Sequence, residues 1–164
     1  MTASVQTLEH TNARTGQTIV TRTVSTDAEM EAVYRIRREV FVREQGLTRS
    51  VYDEPDDRVS VHVIAQADGK ILGAGRLTYI QSEGQIAWLA VLEPARGTGV
   101  GKALMSHLLQ TAEERPVQFV TLNAQTHALE FYEAFGFEPL GRRFHMSQIE
   151  HQYMVKLLEP LEPA

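Results

Sequence analysis

The chain has 164 residues, a formal charge of −5 at neutral pH and a hydrophobic share of 43%, which suits one globular domain with a core of its own. It contains no cysteine, and this excludes disulfide scaffolds, thiolate metal sites and cysteine acyl-enzyme chemistry. The acidic balance argues against nucleic acid as a partner, no apolar run approaches the ~20 residues that cross a bilayer, and the amino terminus lacks a basic start before an apolar core. A cytoplasmic protein without membrane association is expected.

Residues 1–17 are polar, rich in Thr and without a sustained period, so they read as a flexible N-terminal tail ahead of a single domain over 18–160. Thr18 to Val24 alternates and is β-branched, as a first strand should be. Ser25-Thr26-Asp27 offers caps for a helix whose apolar residues Met30, Val33, Tyr34, Ile36, Val40 and Phe41 recur at helical spacing until Gly46. Leu47 to Arg58, with the acidic run Asp53-Glu54-Pro55-Asp56-Asp57, reads as a loop or a short broken helix. Two alternating segments, Val59 to Ala67 and Ile71 to Ile80, flank Asp68-Gly69 as an antiparallel hairpin, and Glu83-Gly84 starts the next turn. A strand through Val91, a helix from about Gly99 to Glu114, a strand from Val117 to Leu122 and a helix near His127 to Phe135 follow. Two final strands are expected around Glu138 to Phe144 and Glu150 to Leu158. Hairpins first and helix-separated strands later predict an α/β protein with a mixed sheet.

The most informative segment is Ala95-Arg96-Gly97-Thr98-Gly99-Val100-Gly101-Lys102-Ala103-Leu104, which links a buried strand to a helix. Three glycines in five residues let backbone amides approach a ligand, and the helix start adds unpaired N–H groups, so the segment suits a pyrophosphate. A Walker loop fails because Arg96 stands where its first glycine belongs and Ala103 where its hydroxyl belongs. A dinucleotide fingerprint fails because Lys102 stands where its third glycine belongs.

The remaining pattern, Arg-x-x-Gly-x-Gly over residues 96–101, resembles the coenzyme A loop of the GNAT acetyltransferase superfamily. Ala128-Leu129-Glu130-Phe131-Tyr132-Glu133-Ala134-Phe135-Gly136-Phe137 resembles that superfamily's second signature. Val40-Phe41-Val42-Arg43-Glu44-Gln45-Gly46, Gly73-Ala74-Gly75-Arg76-Leu77 and Ile149-Glu150-His151-x-x-Met154 are similar to its ElaA-like branch. The resemblance implies a mixed, mostly antiparallel central sheet whose fourth and fifth strands splay apart, flanked by helices, with coenzyme A in the gap.

It also implies roles. Backbone groups of Leu89, Ala90 and Val91 would pair with the pantetheine arm, and the segment Arg96, Gly97, Thr98, Gly99, Val100, Gly101 and Lys102 would hold the pyrophosphate. Tyr132 would protonate the departing thiolate, and Gln125 stands where many members carry a cofactor-contacting Asn. Ile86 occupies the place of the usual catalytic carboxylate, so the base is sought among Glu44, His62, Glu83 and His151, with Asp53 and Glu54 in the same acceptor-side segment as Glu44. The activity implied is transfer of acetyl from acetyl-CoA to a primary amine, on a small molecule or a peptide, by direct attack in a ternary complex and without a metal. Two alternatives stay open: a non-catalytic acyl-CoA sensor, and an acyl-homoserine lactone synthase, to whose front Arg37-Arg38-x-Val40-Phe41 is similar. Strand edges leave a homodimer open as well.

Overall fold

The structure is a computed structural model and describes residues 6–158. Residues 1–5 of the expected tail and 159–160 of the expected domain lie outside the described residues. The strands are β1 (Thr7–Thr11), β2 (Thr18–Thr23), β3 (Val61–Ala67), β4 (Lys70–Ile80), β5 (Glu83–Val91), β6 (Phe119–Gln125), β7 (Glu138–Pro139), β8 (Phe144–Met146) and β9 (Ile149–Leu157). They form one sheet in the order β1-β2-β3-β4-β5-β6-β9-β7, with β8 also on β9. Every pairing is antiparallel except β5 with β6.

The helices are α1 (Asp27–Arg37), α2 (Val100–Ala112) and α3 (Leu129–Glu133). Thr26 caps α1 by accepting from the Glu29 amide at 3.1 Å, while Glu29 accepts from the Ser25 amide at 3.0 Å. After Arg37 the chain continues in wider π-helical turns over Arg38–Glu44 and stops at Gly46, whose φ of 76° only glycine adopts freely.

Alternation along β3 explains the layering. Val63 and Ala65 face α2, where Val100, Leu104, Met105 and Leu108 are at most 1% exposed, while Ile64 faces α1 with Val33, Ile36 and Val40. Each such buried aliphatic side chain contributes about 1.5–3 kcal/mol. No helix among the described residues is long and apolar enough to cross a membrane.

Three expectations change. Thr7–Thr11, assigned from sequence to the tail, is a strand in register with β2 from Thr7↔Arg22 to Thr11↔Thr18, because a turn at Asn12–Gln17 folds it back onto the exposed edge of β2. It therefore shifts the strand count by one, and the two strands expected to splay are β5 and β6. The turn before β5 falls at Gln81-Ser82 rather than Glu83-Gly84. Gly84 is a packing glycine, since a Cβ there would lie 3.3 Å from Leu77 Cδ1. The strand expected over Glu138 to Phe144 is interrupted where Gly141 takes φ 81°, and its two halves pair separately with β9.

Candidate active site

The parallel pairing of β5 with β6 lasts for only Glu83↔Phe119, Gly84↔Val120 and Gln85↔Thr121. Beyond it the strands part, and residues 86–91 on one side and Leu122, Asn123 and Gln125 on the other line the two walls of a cavity of about 620 Å³. The cause lies in β5. Its register against β4 jumps between Ala74↔Ala90 and Arg76↔Ala87, so Trp88 and Leu89 together oppose Gly75. Trp88 takes φ 54°, a strained value for a bulky residue. Glycines make room for this bulge: a Cβ on Gly75 would stand 3.2 Å from Leu89 Cδ1 and 2.8 Å from Leu108 Cδ1, and one on Gly73 would stand 2.9 Å from the Ala90 carbonyl oxygen. The β6-facing backbone groups of the bulged strand thus have no strand partner.

At the end of β5 the chain makes a tight turn over Glu93–Ala95 and reaches the glycine segment. Gly97 and Gly99 adopt φ 77° and 94°, and Gly97 has no atom within 4 Å of a would-be Cβ. Gly99 caps α2 without a side-chain bond, and the first intrahelical bond runs from the Ala103 amide to Gly99 O at 3.0 Å, which leaves the Val100, Gly101 and Lys102 amides free. Such a glycine cradle at the start of a 13-residue helix fits a pyrophosphate. Asn12 Nδ2, from the segment read as a tail, donates to Thr98 O at 2.6 Å and steadies the loop.

The opposite end of the cavity is built on buried charge. Arg37, 1% exposed, donates twice to Asp57 at 2.9 and 3.0 Å and lies 5.1 Å from the Trp88 ring centre. Arg76 donates to Asp57 Oδ1 and Glu54 Oε2, each at 3.1 Å. Trp88 Nε1 donates to Glu54 Oε2 at 2.8 Å, and Arg49 pairs with Glu54 Oε1. Burial alone would raise the Glu54 and Asp57 carboxyls; hydrogen bonds from Arg49 and Trp88 to Glu54, and from Arg37 and Arg76 to Asp57, outweigh it and hold both below the usual carboxylate range.

The expected site residues separate into those facing the cavity and those elsewhere. Leu89, Ala90, Val91, Arg96, Gln125, Tyr132, Glu44 and His151 line it. Gln125 is locked in a reciprocal amide pair with Gln45 at 2.8 and 3.2 Å. Arg96 is engaged by Val91 O at 3.0 Å and Glu44 Oε2 at 2.7 Å rather than standing free, and the Thr98 hydroxyl donates to Ala95 O at 2.5 Å as a turn filler does. Lys102 is exposed.

Two base candidates are out of place. Glu83 sits at the closed end of β5 and accepts from the Thr121 hydroxyl. His62, 6% exposed, places Nε2 2.8 Å from Asp57 O and braces the ion network from behind; burial first of all lowers its pKa. Neither lines the cavity. Asn123, His127, Arg49 and Trp88 line it without having been singled out, since nothing in their local sequence distinguishes them. Burial pushes the Tyr132 phenol up to about 12, so it keeps its proton at neutral pH. Among those residues no cluster of three His, Asp or Glu side chains is placed to hold a metal.

A family model described as an acetyltransferase (GNAT) domain matches residues 18–158. The chain belongs to the GNAT acetyltransferase family. It is thus an acyltransferase by family, and coenzyme A thioesters are the donors such enzymes generally use. Among its GNAT relatives are YjcF of Bacillus subtilis, an uncharacterized N-acetyltransferase that is 30% identical over 131 residues (79% of this chain, 94% of that protein), and ElaA of Escherichia coli, 28% identical over 134 residues (79% and 88%). The crystal structure of E. coli ElaA superposes with a TM-score of 0.74 at 24% identity, covering 93% of this chain and 99% of that one. An acyl-CoA N-acyltransferase from Pseudomonas aeruginosa reaches the same score at 27% identity, covering 94% and 99%. The splayed sheet is therefore the GNAT fold.

Proposed function

We propose that this GNAT protein transfers the acetyl group of acetyl-CoA to a primary amine by direct attack within a ternary complex. The observation that carries the reading is the opening between β5 and β6, which runs from an unpaired strand edge at Leu89 to Val91 to the free amides of Val100, Gly101 and Lys102. An extended chain of amides can pair with that edge as an added strand does, while the helix start and the αL glycines receive the pyrophosphate. The chain has no cysteine to carry an acyl group, which favours one displacement over two.

In that displacement the amine lone pair forms the new N–C bond and the C–S bond breaks with its electrons on sulfur. Tyr132 is the proton donor to sulfur: the residue lines the cavity and its phenol is protonated at neutral pH. Arg96 sits between the glycine loop and the cavity, and exchanging its contact with Glu44 for a phosphate oxygen brings a cation to the donor.

A sensor without turnover is the second reading, favoured by the neutralised carboxylates Glu44 and Glu54. Thiol release from acetyl-CoA across a panel of amines and peptides separates the two. Release above background with any acceptor is expected, whereas binding of acetyl-CoA with no release for any acceptor assigns the protein to sensing.

A further inference from the structure

We propose that His151 Nε2 receives the proton of the attacking amine. This deepens the acetyl-transfer reading above and rests on it.

The ring is fixed in one tautomer. His151 Nδ1 lies 2.7 Å from the Ile149 carbonyl oxygen, which can only accept, so Nδ1 carries the hydrogen and the neutral imidazole keeps its lone pair on Nε2. Phe144, opposite His151 in the β8–β9 register, stacks on the ring at 5.8 Å between centres and 21° between planes. The strand register also sets His151 opposite Gln125, so the two side chains share the wall of β6 and β9 that faces the cavity. The residue is 6% exposed, yet Nε2 is not one of the shut-in polar atoms and has no protein partner among the described residues. The lone pair therefore opens on the cavity.

The other proton acceptors along this wall are occupied, buried or loosely held. Glu54 has Oε1 on Arg49 and Oε2 on Trp88 and Arg76. Glu44 has Oε2 on Arg96; its Oε1 has no hydrogen-bond partner among the described residues but is buried away from solvent. Arg49, Arg76 and Arg96 have no lone pair to offer. His127 also lines the cavity, but it is exposed, and no hydrogen bond or ring contact holds it among the described residues. A base must be held within reach of its proton, and His151 alone is clamped on two sides.

The proton count closes. An alkylammonium acceptor first gives a proton to Nε2, and the freed lone pair then attacks the thioester carbon. Tyr132 protonates the leaving thiolate, the amide nitrogen loses its second proton to solvent, and transfer from imidazolium to phenolate restores both residues. The ring must hand over its proton once per turnover, so an acceptor that arrives without a charge has little need of it.

Two variants test this. His151→Asn keeps an N–H donor near the Ile149 carbonyl, and His151→Phe keeps the stack on Phe144; neither has a basic nitrogen. With acetyl-CoA at pH 7, alkylamine turnover is expected to fall about 100-fold in both, weakly basic arylamine turnover to fall only a few-fold, and calorimetric acetyl-CoA binding to stay at the wild-type level. The proposal is overturned if alkylamine turnover stays within a few-fold of wild type, if both amine classes lose equally, if the variants lose acetyl-CoA binding, or if His127→Gln or Glu44→Gln instead shows the selective loss. Failure of the wild-type protein to bind acetyl-CoA is a different result, and it strikes the reading of the cleft itself.

Discussion

At Asp57 two guanidinium groups share one buried carboxylate, and the backbone of Glu54 donates to it as well. Asp57→Asn leaves Arg37 and Arg76 buried against a neutral group, and a loss of about 3–5 kcal/mol in unfolding free energy is expected from urea titration. Because the folded Asp57 carboxyl titrates below its unfolded value, its contribution is present above pH ~4 and is lost as pH falls through the folded value. His107 acts in a higher window. It is fully buried, its Nδ1 lies 2.7 Å from the Thr21 hydroxyl, and burial, followed by the charge of His10, lowers it to about 4. A depressed histidine favours the fold fully above its unfolded value near 6.5 and loses that contribution as pH falls toward about 4. Unfolding free energies from urea titration should therefore decline through this window by roughly 3 kcal/mol, with His62 adding in the same sense, and His107→Gln should flatten the decline. For Tyr132→Phe the expected result is a kcat about 100-fold lower with acetyl-CoA affinity kept; a stopped-flow or thiol-release comparison reads it directly. The place of Tyr132 on the cavity wall was legible because a local motif carries it. The Arg37–Asp57–Arg76–Glu54 network was not, since its partners lie about 20 residues apart and meet only across α1, the acidic turn and β4.

Among the elements, β5 decides whether there is a site. Its bulge at Trp88 and Leu89 turns the strand away from β6, and Gly73 and Gly75 on β4 leave the space in which it does so. Gly73→Ala drives a Cβ against the Ala90 carbonyl, which is backbone and cannot rotate aside. A loss of about 1–3 kcal/mol in stability is expected by urea titration, together with weaker acetyl-CoA binding by calorimetry. A variant with reduced stability but unchanged affinity would detach the glycine from the cleft. The sequence of β5 reads as an unbroken apolar strand, so the alternation reveals its existence and hides its bulge. The lead-in misled for a related reason: Thr7–Thr11 is short and polar, as edge strands are, and only pairing with β2 distinguishes it from a tail.

Across the whole molecule the sheet is continuous from β1 to β7, yet it holds one seam, the three-residue parallel pairing of β5 with β6. Helix α2 packs on one side of that seam and presents its uncapped start at the open end, while the π-helical turns after α1 bring Phe41, Glu44 and Gln45 to the other. On the proposed reading, donor recognition rests on backbone and glycine spacing, which is why the glycine turn of residues 96–101 was readable. Acceptor recognition, on the same reading, falls to side chains gathered from the π-helical turns after α1, the acidic turn and β8–β9, which no local pattern announces. Hydrogen–deuterium exchange with and without acetyl-CoA tests the donor assignment most directly. The amides of Leu89 to Val91 and of Gly97 to Lys102 should gain protection together on saturation with acetyl-CoA. Binding that leaves both segments unprotected, or that protects another face of the sheet, would contradict the placement of the donor between β5 and β6.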